Sequence, residues 1–108
     1  MAKFAKGKRA RPPAHPGGIL KRLYLEELNL SNQEFAKMLA AVSRKEVSVR
    51  TMVTKLSEVI NERRSMSSEF ALLVSLALGT ELEVWVRLQA NYDAWQAEQD
   101  YYSLPEIS

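Results

Sequence analysis

Between residues 43 and 64 the chain concentrates side chains that donate hydrogen bonds to nucleic acid. Ser43, Arg44 and Lys45 are followed by Arg50, Thr51, Thr54 and Lys55, and then by Arg63 and Arg64. Arginine and lysine donate to guanine O6 and N7 or to phosphate, while serine and threonine serve either target. The spacing gives the group its meaning. Val49, Met52, Val53, Leu56, Val59 and Ile60 recur at helical intervals, so one face of a helix is apolar and Arg50, Thr51, Thr54 and Lys55 are left outward. Arg63 and Arg64 lie just past that helix, where they anchor backbone rather than read bases. Gln33 stands at the start of a preceding helix, whose free amides are suited to holding a phosphate.

Catalytic chemistry has little to stand on. His15 is the only histidine, and there is no cysteine. No carboxylate stands at metal-ligand spacing from His15, and the acids are scattered singly along the chain. Neither a glycine-rich phosphate loop nor a nucleophile elbow is present. No catalytic residue, metal or cofactor is expected, and the chain does not read as an enzyme.

Charge is divided between the two ends. Of 15 Lys/Arg and 13 Asp/Glu, residues 1–64 hold all the cations but Arg87, and residues 65–108 hold seven of the acids. A basic part and an acidic part imply one surface for a polyanion and another for a different partner. The length of 108 residues fits one domain with a modest core. The lack of cysteine suits a reducing cytosol, so a cytoplasmic location is expected. No apolar run approaches the roughly 20 residues that span a bilayer, and no membrane association is expected.

The elements that must position these residues read as helices throughout. Residues 1–16 form a basic arm, with Lys3, Lys6, Lys8, Arg9 and Arg11 ahead of Pro12, Pro13 and Pro16, expected to be disordered alone. The domain proper is expected over 17–100 and a tail over 101–108. A first helix over about 17–29 would bury Ile19, Leu20, Leu23, Tyr24 and Leu28, with Gly17 and Gly18 weakening its start. Ser31 and Glu34 form a capping box that opens a second helix, about 32–41. A fourth helix over 68–78 is apolar almost all round, which marks the most buried element, and Gly79 stops it. Thr80 and Glu83 read as a second capping box, opening a fifth helix over about 81–100. On that helix Trp85 is expected in the core, while Leu88, Tyr92 and Trp95 are candidates for a dimer seam.

These elements carry a family resemblance. His15-Pro16-Gly17, Ile19-Leu20, Leu25, Leu28-Asn29-Leu30-Ser31 and Phe35-Ala36-Lys37 match its first half. Ser57-Glu58-Val59-Ile60-Asn61-Glu62-Arg63-Arg64-Ser65-Met66-Ser67 matches S-E-I-I-N-G-R-R-S-I-T, and Gly79-Thr80, Trp85 and Leu88-Gln89-Ala90-Asn91-Tyr92-Asp93 complete it. Over about residues 15–98 the chain resembles the HigA/VapI-type antitoxins of the XRE-like helix-turn-helix superfamily. The resemblance implies an all-α, five-helix, lambda-repressor-like helix-turn-helix domain, here with an extended recognition-helix region. It also implies a homodimer on double-stranded operator DNA and a cognate RelE/HigB-like ribonuclease toxin that the antitoxin neutralises. Repression of its own operon would follow.

One departure falls on the recognition element. Between Leu39 and Glu58 the chain carries about ten residues more than the family pattern. In one alignment residues 42–48 are the family's V-S-R-K-x-I-S and extra turns follow. In the other, residues 51–57 take that place and 40–50 form a lengthened turn. A helix carried unbroken through nine extra residues rotates by about 900°, half a turn out of phase, so the second arrangement fits the stripe that starts at Val49. Glu62, standing where the family often has glycine, removes an easy helix stop. The same insertion keeps two other functions open. The chain could be a toxin-binding protein that has lost operator binding, or a general helix-turn-helix regulator. A third possibility is nonspecific nucleic-acid binding through the basic arm.

Overall fold

A computed structural model describes residues 11–106, and all regular structure within them is helical. The first helix, α1, opens as an α-helix over Pro16–Ile19 and widens into a π-helical stretch over Leu20–Leu25. Then come α2 (Asn32–Val42), α3 (Val49–Ile60), α4 (Ser68–Leu78) and α5 (Leu82–Ser103). Five helices and no strand among the described residues is the expected class.

His15 opens α1 as its cap. Its Nδ1 accepts from the Gly17 amide at 2.9 Å, and Pro16 takes the first helical position, where no amide is needed. His15 and Pro16 are buried, so the domain begins two residues before the expected limit of the arm. The π-helical widening changes which side chains of α1 face inward. Leu20 and Leu25 are buried, five residues apart, whereas Leu23 and Leu28 are exposed. A 3.6-residue period had placed both inside. The wider turn, with the Glu26 amide donating to the Lys21 carbonyl at 2.9 Å, carries Leu23 off the core face.

The capping box that opens α2 is present in both directions. The Glu34 amide donates to Ser31 Oγ at 3.0 Å, and the Ser31 amide to Glu34 Oε1 at 2.9 Å. Its backbone partner first, then the Ser31 hydroxyl, hold the Glu34 carboxyl below its ordinary value. From that start Phe35, Ala36 and Leu39 turn inward. They meet Met52, Leu56, Val59 and Ile60 of α3 and Val74 of α4 in one core that also takes Trp85.

Two expectations about the last helices need correction. α4 is not buried all round: Leu72 is 43% and Leu76 57% exposed, while Phe70, Ala71 and Val74 face the core. Apolar composition on every side overstated its burial because in a domain this small only one face of the helix has neighbours. Nor does Thr80 cap α5. The cap residue is Glu81, without a side-chain bond, and Thr80 Oγ1 instead accepts from the Trp85 indole at 2.8 Å. A buried indole N–H needs an acceptor, and here that need takes the threonine. α5 also continues to Ser103, through the expected boundary at residue 100.

Candidate nucleic-acid interface

α2 packs across α3, and the two form a helix-turn-helix pair. The connection, residues 43–48, is about twice the usual three- or four-residue turn. A six-residue turn holds only part of the extra length, the rest being helical, and α3 begins at Val49 with Ser48 as its cap, whose Oγ accepts from the Thr51 amide at 3.1 Å. The break that the second arrangement expects is present, but it spans residues 43–48 and not 40–50.

On α3, Met52, Leu56, Val59 and Ile60 point into the core. Opposite them lie Arg50, Thr54, Ser57 and Asn61, at spacings of four, three and four along one face. This row extends about 16 Å at 1.5 Å per residue, enough to traverse a major groove about 12 Å wide. Arg50, Thr54 and Asn61 are exposed and Ser57 is half-buried. Thr51 is exposed beside the row, its hydroxyl 2.9 Å from that of Ser48, and Thr54 Oγ1 donates to the Arg50 carbonyl at 3.2 Å. Ser57 and Asn61 were not among the expected contacts. Their spacing of seven and eleven from Arg50 was the available signal, hidden because both sit inside the family's S-E-x-I-N string. Asn61 Nδ2 donates to the Ser57 carbonyl at 2.9 Å, so the two form one polar unit.

Beyond Asn61 the chain stops α3 despite lacking glycine. Glu62 takes φ 60°, in the left-handed region. Its amide donates to the Val59 carbonyl at 3.0 Å, and the Arg63 amide to the Glu58 carbonyl at 2.9 Å, which is the bonding of a Schellman stop. The expected loss of an easy stop is thus met by a strained glutamate. Arg63 leaves this turn exposed. Arg64 does not extend freely: its Nε lies 3.0 Å from Glu58 Oε1.

The remaining cations are placed by the long turn. Ser43 Oγ accepts from the Lys45 amide at 3.2 Å and donates to the Lys45 carbonyl at 3.1 Å, pinning a tight bend. Lys45 Nζ then reaches Glu69 Oε2 of α4 at 2.7 Å, and this contact holds the Glu69 carboxyl below its ordinary range. Both groups are largely in water, so the pair contributes little and is easily opened. Arg44 is exposed beside it. Lys45, Lys55 and Arg64 line one cavity of about 380 Å³ at the start of α4, where Ser67 Oγ accepts from the Phe70 amide at 3.1 Å. Gln33 is exposed in the first turn of α2. The arrangement can offer a base-reading row on α3 flanked by cations and helix starts for backbone phosphates.

The candidate seam residues of α5 are occupied within the protomer. Leu88 packs on the core. Tyr92 meets the His15 ring edge-on, centroids 4.7 Å apart, and Trp95 leans on Tyr92 at 5.5 Å. Among the described residues no helix is long and apolar enough to cross a membrane, and no group of three or more His, Cys, Asp or Glu is placed to hold a metal. Lys3, Lys6, Lys8 and Arg9 of the arm lie outside the described residues.

No protein-family model matches the chain. It is 31% identical over 98 residues to virulence-associated protein I of Dichelobacter nodosus, covering 91% of this chain and 82% of that protein. To the uncharacterized helix-turn-helix-type transcriptional regulator YbaQ of Escherichia coli K12 it is 33% identical over 97 residues, covering 90% of this chain and 77% of the relative. Among solved structures, antitoxin HigA of Pseudomonas aeruginosa with the higBA promoter superimposes with a TM-score of 0.65 at 25% identity, covering 89% of this chain and 99% of that one. With the helix pair, the outward row and these relatives together, the chain belongs to the HigA/VapI-type family of helix-turn-helix antitoxins.

Proposed function

We propose that the protein is a sequence-specific DNA-binding antitoxin. It binds its operator as a homodimer, represses its own operon and neutralises a RelE/HigB-like ribonuclease toxin. The observation that carries the DNA-binding part is the open row Arg50–Thr54–Ser57–Asn61 on the second helix of the pair. Two protomers place these rows in major grooves about 34–36 Å apart, one helical turn along the duplex. Arg50 and Asn61 read base edges. Thr51, Thr54, Ser43, Arg44, Lys45, Lys55, Arg63, Arg64 and Gln33 serve the flanking bases and phosphates. That a solved relative, antitoxin HigA, is seen with the higBA promoter supports binding to promoter DNA.

The rival in which operator binding has been lost required the inserted residues to disrupt α3. α3 is nonetheless an unbroken helix over Val49–Ile60, with Arg50, Thr54 and Asn61 exposed on it, which favours retained binding. A general regulator without a toxin differs in a growth assay. Expression of the ribonuclease from the adjoining reading frame should arrest growth, and co-expression of this protein should restore it. A reporter behind the operon's promoter should be silenced by this protein alone. Silencing without rescue would assign a general regulator; rescue without silencing would assign a toxin-binding protein only.

A further inference from the structure

The long turn, α3 and the start of α4 enclose a cavity of about 380 Å³. Pockets that hold small molecules span about 300–1,000 Å³, and this one equals roughly a dozen water volumes at about 30 Å³ each. Ser43, Lys45, Glu46 and Val47 supply one wall. They belong to the turn that is longer here than in other helix-turn-helix pairs, so the space is a feature of this chain.

The lining is of two kinds. Half-buried Val47 and Leu73, with buried Met52 and Phe70, give an apolar floor, which favours an apolar occupant over water. Lys45, Lys55 and Arg64 line the same space. Lys45 meets Glu69, and Arg64 meets Glu58 through Nε, one of five guanidinium donors. Both pairs are open to solvent and separate easily. Among the described residues Lys55 has no hydrogen bond or ion pair, although its charge helps to hold the Glu69 carboxyl low. Glu46 and Glu69 are also in the lining, which therefore carries three positive groups against two negative. One negative charge balances that excess, and a second would face the two carboxylates.

We propose that this cavity binds a small amphipathic monocarboxylate and that its occupation releases operator DNA. The apolar body lies on Val47, Met52, Phe70 and Leu73, and the carboxylate is held by Lys55 and Arg64. The release rests on the DNA-binding function proposed above, in which Lys45, Lys55 and Arg64 serve flanking phosphates. A carboxylate on these cations takes the donors that the phosphates need, so each ligand weakens the other by the same factor. The site itself does not depend on that reading.

Phenylbutyrate and decanoate are the probes. Acetate supplies the charge without the body, and phenylbutanol the body without the charge. In calorimetric titrations of the full-length protein, both probes should bind at least tenfold more tightly than either control. Val47→Trp, which fills the cavity from its turn wall, and Lys55→Gln should each weaken the probes at least tenfold. Should the melting curve show Val47→Trp unfolded, Lys55→Gln decides alone. In anisotropy titrations at constant ionic strength, saturating phenylbutyrate should raise the operator dissociation constant about tenfold or more, and acetate should not. Probes that bind no better than the controls would overturn the proposal. So would Lys55→Gln binding within twofold of the parent, which puts the probe elsewhere, or probe binding that leaves operator affinity unchanged. A parent protein that binds the probes but no operator in their absence would remove the DNA-binding reading and the release, and leave the site standing.

Discussion

Gly17 of α1 lies against the carbonyl of Val59 in the last turn of α3: a Cβ at Gly17 would stand 1.8 Å from the Val59 oxygen. Only glycine permits this approach. The same carbonyl accepts from the Glu62 amide in the turn that ends α3, so the start of the first helix and the stop of the recognition helix are built on one atom. Gly17, expected to weaken the helix start, is the socket for the end of α3.

Gly17→Ala therefore forces α1 away from α3 and should lower stability by about 3 kcal/mol or more, at the upper end of overpacking costs. Urea denaturation followed by helical circular dichroism checks this. A loss under 1 kcal/mol would mean that the two helices separate freely.

Glu62 holds φ 60° with a side chain that disfavours it. Glu62→Gly should raise stability by about 1 kcal/mol, and Glu62→Val should lower it, with the urea midpoint moving in opposite directions. Equal effects from both replacements would show that the glutamate side chain, not its backbone, matters there.

Acid should weaken the fold in two stages. Burial lowers the His15 pKa below 6.5, with Glu62 and Asp93 partly restoring it. The unfolded chain then binds a proton more readily than the folded one, so stability is full above 6.5 and declines as the pH falls below it. Glu34 and Glu69 have folded values below 4.5, so their contributions hold above 4.5 and are lost as the pH falls through the folded values. His15→Asn keeps a cap acceptor but does not titrate. Calorimetric melting at pH 7.5, 6.5 and 5.5 should show a slope for the parent protein that the variant lacks.

The base-reading row and the phosphate cations should separate by salt. Arg50→Ala should cost about 1–3 kcal/mol on the operator and relax its sequence preference, and Arg63→Ala should weaken all duplexes alike and reduce the salt slope by about one. Glu69→Ala, which frees Lys45, should leave the urea midpoint essentially unchanged. Its operator affinity should hold or rise, as measured by anisotropy titration.

Local chemistry made much of this legible in the sequence. The Ser31–Glu34 box, the Gly79 stop and the α3 stripe are written within a few residues of one another, and each appears where its pattern places it. What escaped depends on departures from ideal helix geometry and on competition for hydrogen-bond partners. Leu23 and Leu28 are displaced by a wider helical turn, and Thr80 is claimed by Trp85. Gln89, read only as part of a family string, is buried and accepts from the Met66 amide at 2.7 Å while donating to Asp93 at 2.8 Å, tying the start of α4 to α5. The position of the inserted residues was open because phase arguments show that a break is needed, not where it falls. Ser48, with a side chain able to cap, sets where α3 starts.

Whether the α3 row reads a specific site is decided by fluorescence anisotropy. The full-length protein is titrated into its own upstream DNA and into a shuffled duplex of equal length, across a salt series. A preference of about a thousandfold or more for the native sequence, retained as salt rises, is the expected result. Equal affinity for both duplexes, collapsing together with salt, would contradict it and leave the cations gripping phosphate alone.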